Sequence, residues 1–362
     1  MTRRERFERS LRLQEVDRLA HGEQMIHDDL CAAFTQKRFP EDSHNALSKW
    51  MKELLPENNF QRHKEVRELL NFDWVHLFPI EPMVETLSDD GTTKVQRDIW
   101  GQTIKVNNAC FEITGKAISS IEELKTYRFP KVDAFQFSDI TRWAKESDYW
   151  VTTQIDWGYF KVAQLVGFEE FIMYLYDEPS AVHGLMEKFE DFAKKMVDRL
   201  IAAGADSIWF SDDHAFNSGP FISPEQLQEF DFDYLKRMVD YVHAKGLLAN
   251  FHSCGNIELT LKQLINTGIN SIHAIQPSAG NDIYKYKKEY GKDICFIGNF
   301  DMDRLMPKGS VQEIDQKVKE MVSVMWERDR TGYILATCNM LNNDQPVENA
   351  LILHMAAEKY GR

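Results

Sequence analysis

The feature that most constrains the fold is a repeat that runs from about residue 150 to the C-terminus. Each short apolar run is followed by a longer amphipathic one. "YWVTTQID" reads as a strand, and Ala163 to Ala203 as helix with a break near Asp177-Glu178-Pro179. "DSIWFSDD" is the next strand. The helix after it has Ser223 as N-cap, Pro224 in its first turn and Gly246 closing it. "LLANFHSC", "SIHAIQP", "ICFIGNFD" and "YILATC" follow as strands, each trailed by a helical stretch, the last being "PVENALILHMAAEKYG". Strands alternating with helices mean βαβ units and a parallel sheet. With "FDWVHLFPI" (Phe72 to Ile80) the strands number seven, one short of a (β/α)8 TIM barrel, and the eighth is expected within the first 110 residues. A doubly wound open sheet is the rival, but no G-x-G-x-x-G or Walker turn occurs.

The N-terminal third departs from this repeat. Residues 1–70 are charged and read as helical, with breaks at Pro40 and Pro56. They are expected to pack as an extension on a barrel spanning 71–362. The "DDG" turn between two extended runs predicts a β-hairpin insertion at about 84–106. A net charge of -14 repels phosphate backbones and argues against nucleic acid as a partner. "MTRRERFERSL" lacks the apolar core of a signal peptide, and no apolar run approaches the roughly 20 residues of a membrane span. Five widely spaced cysteines make a poor disulfide framework. The expectation is a cytoplasmic protein with free thiols and no membrane contact.

The ends of the strands carry the chemistry. Asp212 and Asp213 close one strand, His252 and Cys254 the next, then Gln276, then Asn299 and Asp301, then Cys338. In barrels, functional groups gather at the C-terminal ends of strands. Side chains alternate faces along a strand, so Asn250, His252 and Cys254 point the same way, inward at the mouth of a barrel. A nitrogen and a sulfur ligand suit zinc, and Cys338 is the best third candidate because it too ends a strand. Such a set leaves one tetrahedral position open, as catalytic zinc requires. The plain alternative is a buried histidine beside two inert buried cysteines.

Asp212 and Asp213 are candidates for a substrate contact, a proton donor or a metal ligand, with a wet strand end or a helix cap as the alternative. His214 is a candidate acid or base, or a surface loop residue. Gln276 and Asn299 are candidate substrate contacts. Trp157, Tyr159, Trp209 and Phe216, with Phe160 and Phe210, lie near strand ends and either line an aromatic pocket or pack in the core. His273 and Cys295 fall earlier in their strands and read as core, and Cys31 and Cys110 lie outside the pattern.

"GADSIWFSDD", "GPFISPEQLQEF", "HAKGLLANFHSCGN", "ICFIGNFD" and "GYILATCNMLNNDQPVENA" resemble the uroporphyrinogen decarboxylase superfamily, in detail from Gly204 onward and more loosely over Val84 to Trp100. That resemblance implies a (β/α)8 barrel and offers two chemistries. One is metal-independent porphyrinogen decarboxylation. The other is corrinoid-linked methyl transfer, with zinc held by an H-x-C…C pattern. His252, Cys254 and Cys338 match the second. Cys338 falls where the decarboxylases have a histidine, and the "MRQAGR"-like run of the decarboxylases is absent. The resemblance thus implies a methyltransferase with Zn2+, working with a corrinoid (methylcobamide) carried by a partner protein. The methyl donor would be a small substrate such as an aromatic methyl ether or methanol, the alternative being transfer from the methylcobamide to a thiol or tetrahydrofolate. The charged N-terminal helices are read as a solvated face, or as a contact with the corrinoid protein or a second copy in a homodimer.

Overall fold

The computed structural model describes residues 1–35, 57–107 and 111–362. Pro40, Pro56 and Cys110 lie outside the described residues. In chain order the strands are β1 (Ala20–His21), β2 (Trp74–Leu77), β3 (Met83–Asp89), β4 (Thr93–Asp98), β5 (Thr103–Asn107), β6 (Phe111–Gly115), β7 (Trp150–Asp156) and β8 (Ser207–Ser211). They continue with the short β9 (Ala215–Phe216) and β10 (Gly219–Pro220), then β11 (Leu248–Ser253), β12 (Ser271–Ala274), β13 (Cys295–Ile297) and β14 (Tyr333–Leu335).

Among the described residues, eight strands form one parallel sheet in the order β1-β14-β13-β12-β11-β8-β7-β2. The ends of that series meet where the Asp73 N–H donates to the His21 carbonyl at 3.1 Å, at the start of β2. The result is a nearly closed (β/α)8 barrel. Its eighth strand is β1, which lies inside the segment read as a helical extension. The N-terminal region is therefore part of the barrel wall as well as a covering of helices (Arg3–Leu11, Asp28–Thr35 and Glu57–Leu69). A strand of two residues carries no periodicity, and that is why the alternation test passes over it. The expected hairpin is half of a larger unit. β3 to β6 form a four-stranded antiparallel sheet that runs on to Gly115.

Period-two alternation sorts the strand residues into two cores. Trp74, Trp150, Trp209, Leu248, Cys295, Ile297, Ile334 and Ala336 pack together in the barrel interior. Their neighbours Val75, Val151, Ile208, Phe210, Ala249, Phe251, Ile272, Phe296 and Leu335 join the layer beneath the outer helices. Cys295 is core, as its position early in the strand implied. The N-terminal end of the barrel is stoppered by helix Arg3–Leu11. Phe7 stacks on Trp74 at 5.2 Å and meets Trp150 at 6.1 Å, and both tryptophans begin their strands. Arg6 anchors this plug by pairing with Asp73 at 2.7 Å and Asp17 at 2.7 Å.

The plug generates a test. Phe7 is fully buried, so Phe7→Ala removes a ring the surrounding tryptophans cannot replace. A loss of about 3–5 kcal/mol is expected in guanidinium denaturation, with the far-ultraviolet dichroism of the folded state unchanged.

Candidate metal centre

Reading the interior upward from the plug gives three polar layers. In the lowest, Ser207 Oγ accepts from Trp150 Nε1 at 3.0 Å and from Asn250 Nδ2 at 3.1 Å, while Ser271 Oγ donates to Asn250 Oδ1 at 2.8 Å. Above it lie three imidazoles, two of them against Trp209 and the third, His252, against His273. The His76 ring is 4.8 Å and the His273 ring 5.4 Å from the indole. His252 Nδ1 is 2.7 Å from His273 Nδ1, and His273 Nε2 is 3.0 Å from the Thr337 carbonyl. His76 sits between Thr152 Oγ1 at 2.7 Å and Gln154 Oε1 at 3.0 Å. Burial pushes His76 down to about 3, holds His273 well below its ordinary value and lowers His252, so this layer is neutral.

The third layer, at the C-terminal ends of the strands, carries the donors. His252 Nε2 lies 3.6 Å from Cys254 Sγ and 3.9 Å from Asp213 Oδ1. The Cys254 N–H donates to that same Asp213 oxygen at 2.8 Å. One donor atom from each of Asp213, His252 and Cys254 lies within 4.8 Å of the others. Zinc bonds of about 2.0–2.1 Å to nitrogen and about 2.3 Å to sulfur place two tetrahedral ligands about 3.6 Å apart, so the His252–Cys254 spacing fits. Cys338 faces the same end. It comes directly after Thr337, whose bridge to Phe300 carries the β13–β14 pairing upward. Cys338 bears electrostatically on Cys254 but lies outside the compact set, and Asp213 completes the three. Burial raises the Cys254 thiol well above its ordinary value, Asp213 and Cys338 adding to it, and pushes Cys338 up to about 12. Burial therefore favours the protonated form of both thiols. The mixed O, N and S donor set suits a zinc ion, which would provide the positive charge that ionises them.

The profile of the family described as uroporphyrinogen decarboxylase (URO-D) matches residues 161–360, more than half of the chain. The chain belongs to the uroporphyrinogen decarboxylase family. Relatives include the uroporphyrinogen decarboxylase of Pseudoalteromonas atlantica, 25% identical over 51% of this chain and 50% of that protein. The methylcobamide:CoM methyltransferase MtbA of Methanosarcina acetivorans is 25% identical over 46% and 48%. The methylated-thiol–coenzyme M methyltransferase of Methanosarcina mazei is 23% identical over 45% and 42%. The chain spans about half the length of the curated relatives it matches. A solved methyltransferase from Methanosarcina mazei shares the fold over 99% of both chains, with a TM-score of 0.74 at 17% identity.

Around the donors, the loops are held by main-chain contacts. Gly255, at φ +77°, lets the chain pass directly under the Ala215 carbonyl, where any side chain would collide. Gln276 turns its Oε1 toward the Gly255 N–H at 3.4 Å, and Asn281 Nδ2 donates to the Gly255 carbonyl at 2.8 Å. Gln276 thus stands beside the ligand loop, with its Nε2 donating to Ser278 at 2.9 Å. Asn299 is buried and donates to the Ile275 carbonyl at 3.0 Å. Asn339, which sequence reasoning passed over, donates to Cys254 Sγ at 3.7 Å.

Asp212 and His214 part company with Asp213. His214 Nε2 lies 3.2 Å from Asp212 and 3.0 Å from Asp231, and all three side chains are wholly buried. Asp212 accepts the Phe160 N–H at 3.1 Å and Asp231 the Tyr159 N–H at 3.4 Å, so the two carboxylates cap the helix Gly158–Val166. A side chain at Gly158 would run into both of them. Asp231 is delivered by a π-helical turn, Gln228–Phe232, inside what the sequence presents as one continuous helix. This cluster supports the loop that carries Asp213 and does not face the donors.

The aromatic candidates also separate. Trp157 packs on Phe189 and Phe210, Tyr159 on Phe171 and His214, and Trp209 on Trp74, all in the core. Phe210 is core as well, Phe160 stacks on Phe221, and Phe216 is exposed on the β9–β10 hairpin.

His214 generates a pH test. Although burial opposes the charge, the Asp212 and Asp231 carboxylates raise its pKa to about 10. A raised folded pKa gives stability that is complete below the unfolded value near 6.5 and falls as pH rises toward 10. Wild type minus His214→Gln, compared by urea titration from pH 6 to 10, should show a difference that shrinks steadily across that window.

Proposed function

We propose that this chain is a zinc-dependent methyltransferase. It moves a methyl group between a small sulfur-containing substrate and the cobalt of a corrinoid carried by a partner protein. The observation that carries this reading is the convergence of Asp213, His252 and Cys254 at the open end of the barrel, with Cys338 beside them. Asp213, His252 and Cys254 would hold the ion, with Cys338 as a further candidate ligand at the same end and Asn339 donating to Cys254. When bound, zinc supplies Lewis acidity that favours the ionised form of a thiol. The protein's own part is positioning. The Gly255 loop, clamped by Gln276 and Asn281, keeps the donors in place for an in-line displacement, where orientation supplies much of the rate.

A sulfur substrate is favoured over an aromatic methyl ether. Trp157, Tyr159 and Trp209 are spent on core packing, so the aromatic pocket expected near the mouth loses most of its wall. Two relatives named as acting on coenzyme M or a methylated thiol support the same choice. The decarboxylase reading rests on other relatives of similar identity. A porphyrinogen bearing several carboxylates would, however, meet Asp213, Asp301 and Asp303 around the donors, and like charges repel.

The test is metal content followed by turnover. Wild type should hold about one zinc per chain, and Cys254→Ser and Asp213→Ala should each lose most of it. Methyl transfer from methylcobalamin to a small thiol should fall roughly 100-fold or more in Cys254→Ser, while the dichroism spectrum stays that of the folded chain. Full metal content in both variants, or porphyrinogen turnover by chelator-stripped protein, would overturn the proposal.

A further inference from the structure

Among the described residues, several clusters of titratable side chains lie beyond the donors themselves, and three bear on the argument. The Asp212–His214–Asp231 group is consumed by helix capping. The Cys31–His63–Asp28 group between the N-terminal helices is fully buried. The third, the His252–His273 pair, acts directly on the site and carries an inference.

His273 reaches two partners along one line, the Thr337 carbonyl at 3.0 Å from Nε2 and His252 Nδ1 at 2.7 Å from its own Nδ1. A carbonyl only accepts, so the His273 proton must sit on Nε2. The His273 ring is wholly buried and its contacts are the carbonyl, His252 and Trp209, with no carboxylate to balance a second proton, so its Nδ1 is a bare lone pair and must accept. The proton in the 2.7 Å contact therefore belongs to His252 Nδ1. That leaves His252 Nε2, the atom 3.6 Å from Cys254 Sγ, without a proton and directed at the donor set. The opposite arrangement would put an N–H against the sulfur and bar the nitrogen from any cation.

We propose that His273 is a positioning residue that locks His252 in the Nδ1–H tautomer and so prepares its Nε2 as a ligand before any metal arrives. This rests on the metal-centre reading and deepens it. The acceptor at the far end is itself fixed, because the Thr337 N–H donates to the buried Glu23 carboxylate at 3.2 Å. Trp209 packs against the His273 ring and limits its rotation. Metal-bound histidines generally pass their second N–H to a carboxylate or carbonyl; here a neutral imidazole is interposed and carries the chain one strand further. The relay thus ties β11, β12 and the segment bearing Cys338 into one hydrogen-bonded unit.

The experiment is long-range 1H–15N spectroscopy on the full chain, stripped of metal and labelled at its 11 histidines, which single substitutions assign. His252 should carry its proton on Nδ1 and His273 on Nε2. His273→Gln keeps an acceptor for His252 and a donor for Thr337, and should retain both the tautomer and the zinc affinity within a few-fold. His273→Phe keeps the ring volume without the acceptor. It should shift His252 toward the Nε2–H form and weaken zinc by roughly 10–100-fold in chelator competition. An Nε2–H tautomer of His252 in the wild type would overturn the proposal without recourse to any variant, even one that fails to fold. A folded His273→Phe protein with wild-type tautomer and affinity would do so too. A wild type that shows the Nδ1–H tautomer but takes up no zinc would uphold the relay and sink the metal-centre reading instead.

Discussion

Closure of the sheet is the constraint on which the site depends. Eight parallel strands wrapped into a barrel send every second side chain into one interior, and those inward positions converge at the strand ends. Asp213 on the β8 side, Cys254 directly after β11 and Cys338 after β14 are remote in sequence. They gather at one end because they share that parity, with Asp213 and Cys254 in the compact set and Cys338 beside it. The seam that completes the barrel is narrow, a two-residue strand between β14 and β2. It is reinforced by Arg6 and Arg18 on Asp73 and by the Phe7 plug beneath.

The interior is graded in polarity along its axis. Tryptophans and aliphatic side chains fill the bottom, and hydroxyl and amide groups satisfy one another above them. Next come imidazoles kept neutral by burial, and last the donors. A buried charge without a partner is costly, so neutral histidines are the ligand-type residues this depth can hold. The titratable cluster of Asp212, His214 and Asp231 lies on the outward face, where the three groups and a helix N-terminus partner one another. The two clusters alternate along a single short stretch, Asp212 to His214, because consecutive residues of an extended chain face opposite ways.

Family membership limits what the site can be without choosing its reaction. Relatives of similar identity are named as decarboxylases and as methyltransferases, and one barrel serves both. The choice lies in side chains at the mouth, where this chain has a cysteine at 338, carboxylates at 213, 301 and 303, and the His252–Cys254 pair.

Periodicity by itself pointed to a parallel α/β fold with candidate groups at the C-terminal strand ends, and the family resemblance pointed to the barrel, because alternating strands and helices leave few topologies and inward parity is a local property. Periodicity placed His252 and Cys254 on one face, and Cys338 joined them as another residue that ends a strand. Applied to Ser207, Trp209 and Ser211, the same parity points to Asp213 and away from Asp212 and His214. Two-residue β1 was beyond its reach, since so short a strand has no pattern, and β5 and β6 were hidden beside the hairpin they extend. The π-turn that delivers Asp231 leaves no mark in the hydrophobic pattern of its helix. What only the tertiary structure decided is which groups touch: Asp213 rather than Cys338 in the compact donor set, His273 behind His252, and the tryptophans in the core. Those contacts join residues on different strands, and their distances follow from barrel closure, which no local stretch of sequence encodes.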